Sequence, residues 1–280
     1  MPDDMNLQAV LRDLIYANHI LHHHGVVDAY GHVSVRHPDD PSVYLMCGYM
    51  PPALVASPND LIYYNVADSS TVDPDSPKGY SERFIHGELF RRFPSVNCVI
   101  HSHAEEVLPY VVTGVKMKSV YHMSGFLGSD GVPVFDIDPL YQEGDQRDML
   151  VNNARLGEGL AAKFAREPNA TEPDETVVLM RRHGFSCVGR DIVTAVYRAI
   201  YTRINAEAQT KAMAIAKNNP DPHGQFVFGE GFDAITKEQE KGTKIMCEKF
   251  QDKPWRLWVR EVERNPLYEN TLGPNHQASR

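Results

Sequence analysis

The sequence predicts one α/β domain built in three layers, α/β/α, with a central and largely antiparallel sheet flanked by helices. Three observations point there. Apolar residues recur at helical spacing in the first segment and in most of the chain after Asp191, whereas the segments between carry short β-type runs broken by Pro, Gly and Asp. The 280 residues, 42% hydrophobic and 23% charged, suffice to bury a sizeable core. No linker-like stretch and no internal repeat divides them, so residues 1–280 read as a single domain.

The elements follow in order. Leu7, Val10, Leu11, Leu14, Ile15, Ala17 and Leu21 make one apolar face of a first helix, Leu7 to His24, that Gly25 ends. Its last residues, His22, His23 and His24, point about 100° apart on a helix and cannot all face one ion; they read as a solvated helix end. Val33 to Val35, Val43 to Met46 and Leu61 to Tyr64 are expected strands, and Ala67 to Gly79 a polar surface loop. Phe84, Ile85, Leu89, Phe90 and Phe93 stripe a helix from Ser81, a plausible N-cap, to Phe93. Val96 to His103 alternates as a strand, placing His101 and His103 on the same face. Then come a helical Ala104 to Val112, a short strand near Val132 to Ile137, a helix from about Asp145 to Ala165, and a buried strand from Thr176 to Met180. The remainder is read as mostly helical: Asp191 to Lys217, about Asp233 to Phe250, and about Trp255 to Arg264.

Charge and composition exclude several functions. With 37 Asp+Glu against 28 Lys+Arg and a net charge of -9, the chain lacks the basic face that a nucleic-acid partner needs. The longest uncharged run, Pro41 to Asn59, holds four prolines and is no membrane helix. Four widely spaced cysteines without a CxxC pair, and an acidic start unlike a signal peptide, are expected of a cytoplasmic protein with reduced thiols. A small-molecule partner remains.

Histidine carries the chemistry. An H-x-H pair at a strand end, His101-Ser102-His103, offers two imidazoles that one cation can bridge. A cupin would want an acid shortly after it, where Val107 and Leu108 stand; an amidohydrolase barrel would place it near the N-terminus, not after about 100 residues. His183 precedes a turn glycine, and Glu82 lies in the first turn of its helix, able to complete a metal shell or to carry a proton.

Four ordered motifs, Gly31-His32-Val33-Ser34-Val35-Arg36, Ser81-Glu82, His101-Ser102-His103-Ala104 and His183-Gly184, resemble the class II aldolase/adducin superfamily over roughly residues 5 to 215. That leaves about 216 to 265 as a C-terminal helical extension. The resemblance implies one divalent cation per subunit on His101, His103, His183 and Glu82, and a homotetramer with sites at subunit interfaces. Tyr121 and His122 lie where the family brings a tyrosine from a neighbouring subunit. The sugar-phosphate aldolases hold phosphate with a G-N-x-S turn, a T-x-x-G-like segment and a Ser-Ser pair. Here His32 replaces the Asn, Met46-Cys47-Gly48-Tyr49-Met50 replaces the second segment, and Tyr80-Ser81 replaces the serines, so the phosphate cradle is dismantled. The G-H-V-S turn, His86-Gly87-Glu88 and Tyr121 to Phe126 look instead like the branch with the hydroxypyridine-dicarboxylate decarboxylase and the prenylphenylpyruvate oxygenase.

The expected activity is therefore that of a Zn2+- or Mn2+-dependent lyase on a small hydroxy or oxo acid, either a decarboxylase of an aromatic or heteroaromatic hydroxy acid or a retro-aldol enzyme. Glu82 and His32 are the expected catalytic groups, and Ser34, Arg36, Ser81, Tyr121 and His122 the expected substrate contacts; Arg181 and Arg182 are further possible carboxylate clamps. An Fe2+ oxygenase of an aryl 2-oxo acid and a non-catalytic adducin-like binding module are the alternatives. His86, one turn after Glu82, suits a supporting role better than ligation. His19, His37, His223 and His276 show no partner pattern and read as surface residues.

Overall fold

The computed structural model describes residues 2–218 and 232–273. Its centre is a seven-stranded sheet in the order β3-β2-β1-β4-β7-β6-β5, formed by β1 (His32–Arg36), β2 (Val43–Cys47), β3 (Leu61–Asn65), β4 (Cys98–Ser102), β5 (Val134–Phe135), β6 (Val177–Met180) and β7 (Gly184–Gly189). Every pairing is antiparallel except β5 with β6. A parallel pair cannot be closed by a hairpin, and the crossover between these two strands contains a helix. The middle strands are buried along their whole length. Helices cover both faces, so even the polar residues of these strands, such as His32, Ser34, His101 and Ser186, are withdrawn from water.

The helices are α1 (Pro2–His23), α2 (Arg83–Arg92), α3 (Leu108–Thr113), α4 (Ala154–Ala162), α5 (Ile192–Asn218), α6 (Lys237–Lys249) and α7 (Asp252–Arg264). The long α5 packs on β4 and β7 and against α1, while α2 packs on β4 and α4. The α2–α4 contact depends on Gly157: a Cβ there would lie 2.5 Å from the Phe84 carbonyl oxygen. Trp258 and Val262 of α7 and Cys247 of α6 bury their side chains in the same apolar core as the sheet.

The strands at 33–35, 43–46, 61–64 and 98–102 and the helices α1, α2, α5, α6 and α7 lie where the periodicity puts them. Four expectations need correction. Residues 145–153 are not helical; α4 begins at Ala154, because Asn153 turns its side chain back to accept from the Leu156 N–H and caps the helix there. Gly184–Gly189, which carries Gly at both ends and little apolar alternation, is the central strand β7. Ser81 does not cap α2: the helix starts at Arg83 with Glu82 in the cap position, its carboxylate turned elsewhere. His19 is no surface residue either. It is 1% exposed, with Nε2 2.6 Å from the Val55 carbonyl and its ring stacked on Tyr268. His223 and His276 lie outside the described residues.

Candidate metal centre

Strand register builds the site. His32 on β1 pairs with His101 on β4, and His101 pairs with Ser186 on β7, so three neighbouring strands deliver their ends to one place. Ser102 turns the chain outward after His101: its hydroxyl donates to the Val26 carbonyl at 2.5 Å and accepts from the Ala104 N–H at 3.1 Å. That bend carries His103 back beside His101. The β6–β7 hairpin brings His183, with Arg182 held at φ 58° in the left-handed region. Gly184 then lets β7 approach β4 closely, as a Cβ there would stand 2.0 Å from the Ser102 carbonyl oxygen.

The result is a tight cluster. His101 Nε2 lies 2.9 Å from His103 Nε2, and His103 Nε2 lies 3.0 Å from His183 Nε2. Glu82 approaches from the start of α2, with Oε2 3.6 Å from His101 Nε2 and Oε1 3.7 Å from His183 Nε2. Its Oε1 also accepts the Val151 N–H at 3.0 Å. The His101 Nδ1 faces the Phe185 carbonyl at 3.1 Å, and the His183 ring bonds to the Met149 main chain. Such carbonyls take the Nδ1 proton and leave the Nε2 lone pair free, the usual arrangement behind a metal-ligating histidine.

Burial tunes all of these groups. It holds His32 and His101 well below the ordinary imidazole value, with repulsion among the neighbouring histidines adding to it, and lowers His183 to about 4. His103 is lowered as well, again by burial first. The Glu82 carboxyl goes the other way, pushed up to about 7 by burial, with the Val151 N–H opposing and Asp148 reinforcing. Three neutral imidazoles converging on one point are what a divalent cation requires of its ligands. The spacing fits too. Metal–nitrogen bonds of about 2.1 Å at right angles place ligand nitrogens about 3.0 Å apart. His101, His103 and His183 would hold the ion and leave further positions open, and Glu82, whose ligand atom lies within 4.8 Å of all three, would complete the shell or stand beside it.

A second layer supports the first. His32 Nε2 lies 4.0 Å from Glu82 Oε2, and its ring centroid 5.1 Å from that of His101. Its Nδ1 is 2.6 Å from His86 Nε2, whose other nitrogen is 2.6 Å from the Ser34 hydroxyl. All three residues are buried, so this chain fixes the orientation of the His32 ring. Ser34 thus reaches the site through His86. The spacing of Glu82 and His86 on one helix was the signal for that role. Residues 141–153, which supply the Val151 N–H and the Met149 carbonyl, carried no such signal.

Several expected contacts fall elsewhere. Arg36 is at the opposite end of β1 from His32, 9% exposed, and its guanidinium donates to the carbonyls of Val96, Pro41, Phe90 and Phe93. It is a structural arginine and not a substrate clamp. Arg181 and Arg182 pair with Asp136 and Asp138. The Ser81 side chain is exposed and borders a separate cavity with Lys78 and Thr71. Tyr121 is half-buried and His122 exposed; among the described residues no hydrogen bond, ion pair or ring contact joins either to the histidine cluster within the chain.

Comparison with known proteins agrees with this architecture. Residues 12–210 match the family model of the class II aldolase and adducin N-terminal domain. The chain belongs to that family. Among curated relatives, decarboxylase tropJ of Talaromyces stipitatus is 45% identical over 271 residues, covering 95% of this chain and 99% of the relative. The 3,4-dihydroxyphthalate decarboxylase of Arthrobacter keyseri is 26% identical over 190 residues, 65% of this chain and 69% of that one. Among solved structures, an L-fuculose 1-phosphate aldolase from Glaciozyma antarctica superimposes with a TM-score of 0.69, covering 95% and 94% of the two chains. At 17% identity that likeness concerns the fold. The family therefore includes relatives named decarboxylases, one of them matching this chain almost end to end.

Proposed function

We propose that the protein is a divalent-metal-dependent lyase that decarboxylates an aromatic or heteroaromatic hydroxy acid. The observation that carries the reading is the convergence of three neutral imidazoles, His101, His103 and His183, beside a buried, protonatable Glu82. Likeness to two proteins named decarboxylases supports it. Zn2+ or Mn2+ held by the three histidines would supply Lewis-acid chemistry toward a phenolate or carbonyl oxygen and the neighbouring carboxylate.

The chain's own residues supply the rest. When the carbon–carboxylate bond breaks, its electron pair stays on the ring carbon, CO2 leaves, and one proton must be delivered to that carbon. Glu82 is the first candidate to deliver it: its oxygens face the cluster, and burial raises its carboxyl above the ordinary carboxylate range, against which the charge of a bound cation would act. His32, oriented by His86, stands 4.0 Å from Glu82; burial keeps it neutral, so its part is to orient the substrate or the Glu82 carboxyl rather than to supply the proton itself. A homotetramer with sites at subunit interfaces, to which Tyr121 and His122 would contribute, is part of the proposal, as is cytoplasmic residence, in keeping with four free buried cysteines.

The test offers aromatic hydroxy acids to protein loaded with Mn2+ or Zn2+ and measures CO2 against aldehyde release and oxygen uptake. CO2 alone is the expected product. A decarboxylation that kept its rate after both His32→Ala and Glu82→Gln would remove the proton-donor assignment.

A further inference from the structure

The end of α1 holds a second group of ligating side chains, separate from His101, His103 and His183. A glycine sets the backbone there: the Val26 N–H donates to the Leu21 carbonyl at 2.8 Å and the Gly25 N–H to the His22 carbonyl at 3.0 Å, with Gly25 at φ 65°. α1 therefore stops at His23, and the chain leaves it at His24 in a fixed turn. His22 is drawn away, its Nδ1 2.8 Å from the Tyr268 hydroxyl. His23 and His24 meet edge to face, ring centroids 5.2 Å apart and planes at 90°, much as His101 and His103 do at 4.7 Å and 81°.

Glu261 of α7 joins this pair. Ligand atoms of His23, His24 and Glu261 all lie within 4.8 Å of one another. The His24 Nε2 and Glu261 Oε2 are 3.3 Å apart and both are shut off from solvent, yet neither makes a hydrogen bond among the described residues. Two buried polar atoms without partners call for an explanation, and an ion between them supplies one. Metal–ligand bonds of about 2.0–2.1 Å at the tetrahedral angle place neighbouring donors about 3.3 Å apart. Trp258, 5.3 Å from the His24 ring between centroids, gives the group a buried apolar wall. Burial holds His24 below the ordinary imidazole value, with Glu261 opposing, so the ring is neutral and able to ligate. The Arg203 guanidinium, whose charge also acts on His24, is paired with Glu106 at 2.6 Å. His23 is exposed and free to turn toward the other two.

We propose that His23, His24 and Glu261 form a second metal site, for Zn2+, which fastens α7 to the end of α1. Two imidazoles and one carboxylate suit Zn2+ and not Mg2+ or Ca2+, and a water completes the tetrahedron on the exposed side. α7 lies beyond residue 210, where the match to the family model ends, so the site belongs to the C-terminal extension and not to the shared domain. Built on three ligands and partly exposed, it binds Zn2+ more weakly than the buried cluster around His101.

The test titrates metal-free full-length protein with Zn2+ by calorimetry and follows its melting as Zn2+ is added. The proteins are the wild type, His23→Gln, Glu261→Gln, His103→Ala, and His23→Gln combined with His103→Ala. The single changes at 23 and 261 alter side chains that reach the surface, and melting without Zn2+ checks their folding. The wild type should bind two equivalents, the second more weakly, and His23→Gln and Glu261→Gln should weaken only that second one, at least about tenfold. His103→Ala should keep it. At free Zn2+ about a hundredfold above the dissociation constant of that site, His103→Ala should melt about 4 °C higher, a rise absent from the double variant. A second equivalent undiminished in His23→Gln and Glu261→Gln, or a His103→Ala protein that binds no Zn2+, overturns the site. Binding lost in those variants with no effect of Zn2+ on melting overturns the fastening of α7. A single equivalent that survives His103→Ala but not His23→Gln would support this site while counting against the metal centre at His101, His103 and His183.

Discussion

Arg36→Met separates the two roles that an arginine on β1 could have. The methionine keeps much of the aliphatic stem and removes every donor. In the wild type, four carbonyls converge on the guanidinium, at 3.1 Å for Val96, 2.7 Å for Pro41, and 2.8 and 3.2 Å for Phe90 and Phe93 at the end of α2. The charge also lies 4.9 Å from the centre of the Phe90 ring. Hydrogen bonds to a charged donor contribute about 1.5–3 kcal/mol each, and contributions within one network do not add in full. A loss of roughly 3–5 kcal/mol is therefore expected, a large part of a typical domain's stability of about 5–15 kcal/mol. With an unfolding entropy of about 2.1 cal/mol/K per residue, a chain of this length should melt roughly 5–8 °C lower. Urea titration and calorimetry measure it, with metal content and KM determined on the folded protein. The expected outcome is a large loss of stability with metal binding and KM unchanged. A variant of wild-type stability with a raised KM would mean that the arginine serves the substrate after all.

Three further outcomes follow from the same geometry. His183→Gln removes one of three converging nitrogens and should weaken Mn2+ or Zn2+ binding at least about a hundredfold, read as metal content after dialysis against a weak chelator; full retention of one equivalent would show that His183 is no ligand. Gly184→Ala forces β4 and β7 apart where His103 and His183 are anchored and should cost about 1–3 kcal/mol together with a drop in metal affinity; wild-type affinity would contradict the close approach. His19 is held down to about 4 by burial, against an ordinary value of 6.5, so the folded state resists its protonation. The stability this gives is whole above pH 6.5 and is lost as pH falls toward 4, about 2 kcal/mol of it by pH 5. His19→Gln should therefore lose that much less stability than the wild type between pH 7 and pH 5, and an identical pH dependence in urea would refute the assignment.

How far the sequence alone could be read depended on the range of the interaction involved. Period-two and period-3.6 patterns are local, so β1 to β4, α1, α2 and α5 were legible, and with them the H-x-H strand end and Glu82 one helix earlier. His183 was legible through its spacing and its glycine, not through its strand: β7 is flanked by Gly184, which lets it approach β4, and Gly189, which lies close to the start of α5, and both hide the pattern. Arg36 shows the limit of residue chemistry, since nothing local tells a guanidinium that meets carbonyls from one that meets a ligand. Residues 145–153 read as helix in the sequence because Asn153, a cap, looks like any polar residue until the chain bends. The second histidine group joins His23 and His24 to Glu261, which only the packing of α7 on α1 makes neighbours.

The central claim is that His101, His103 and His183 hold a divalent ion on which decarboxylation depends. Metal-stripped protein, reloaded in steps with Mn2+ or Zn2+ and supplied with an aromatic hydroxy acid, should release CO2 in proportion to metal bound. Activity should saturate at one ion per chain, and His103→Ala should neither bind the ion at that site nor release CO2. Full CO2 release from metal-free protein, or from a His103→Ala variant, would contradict the account.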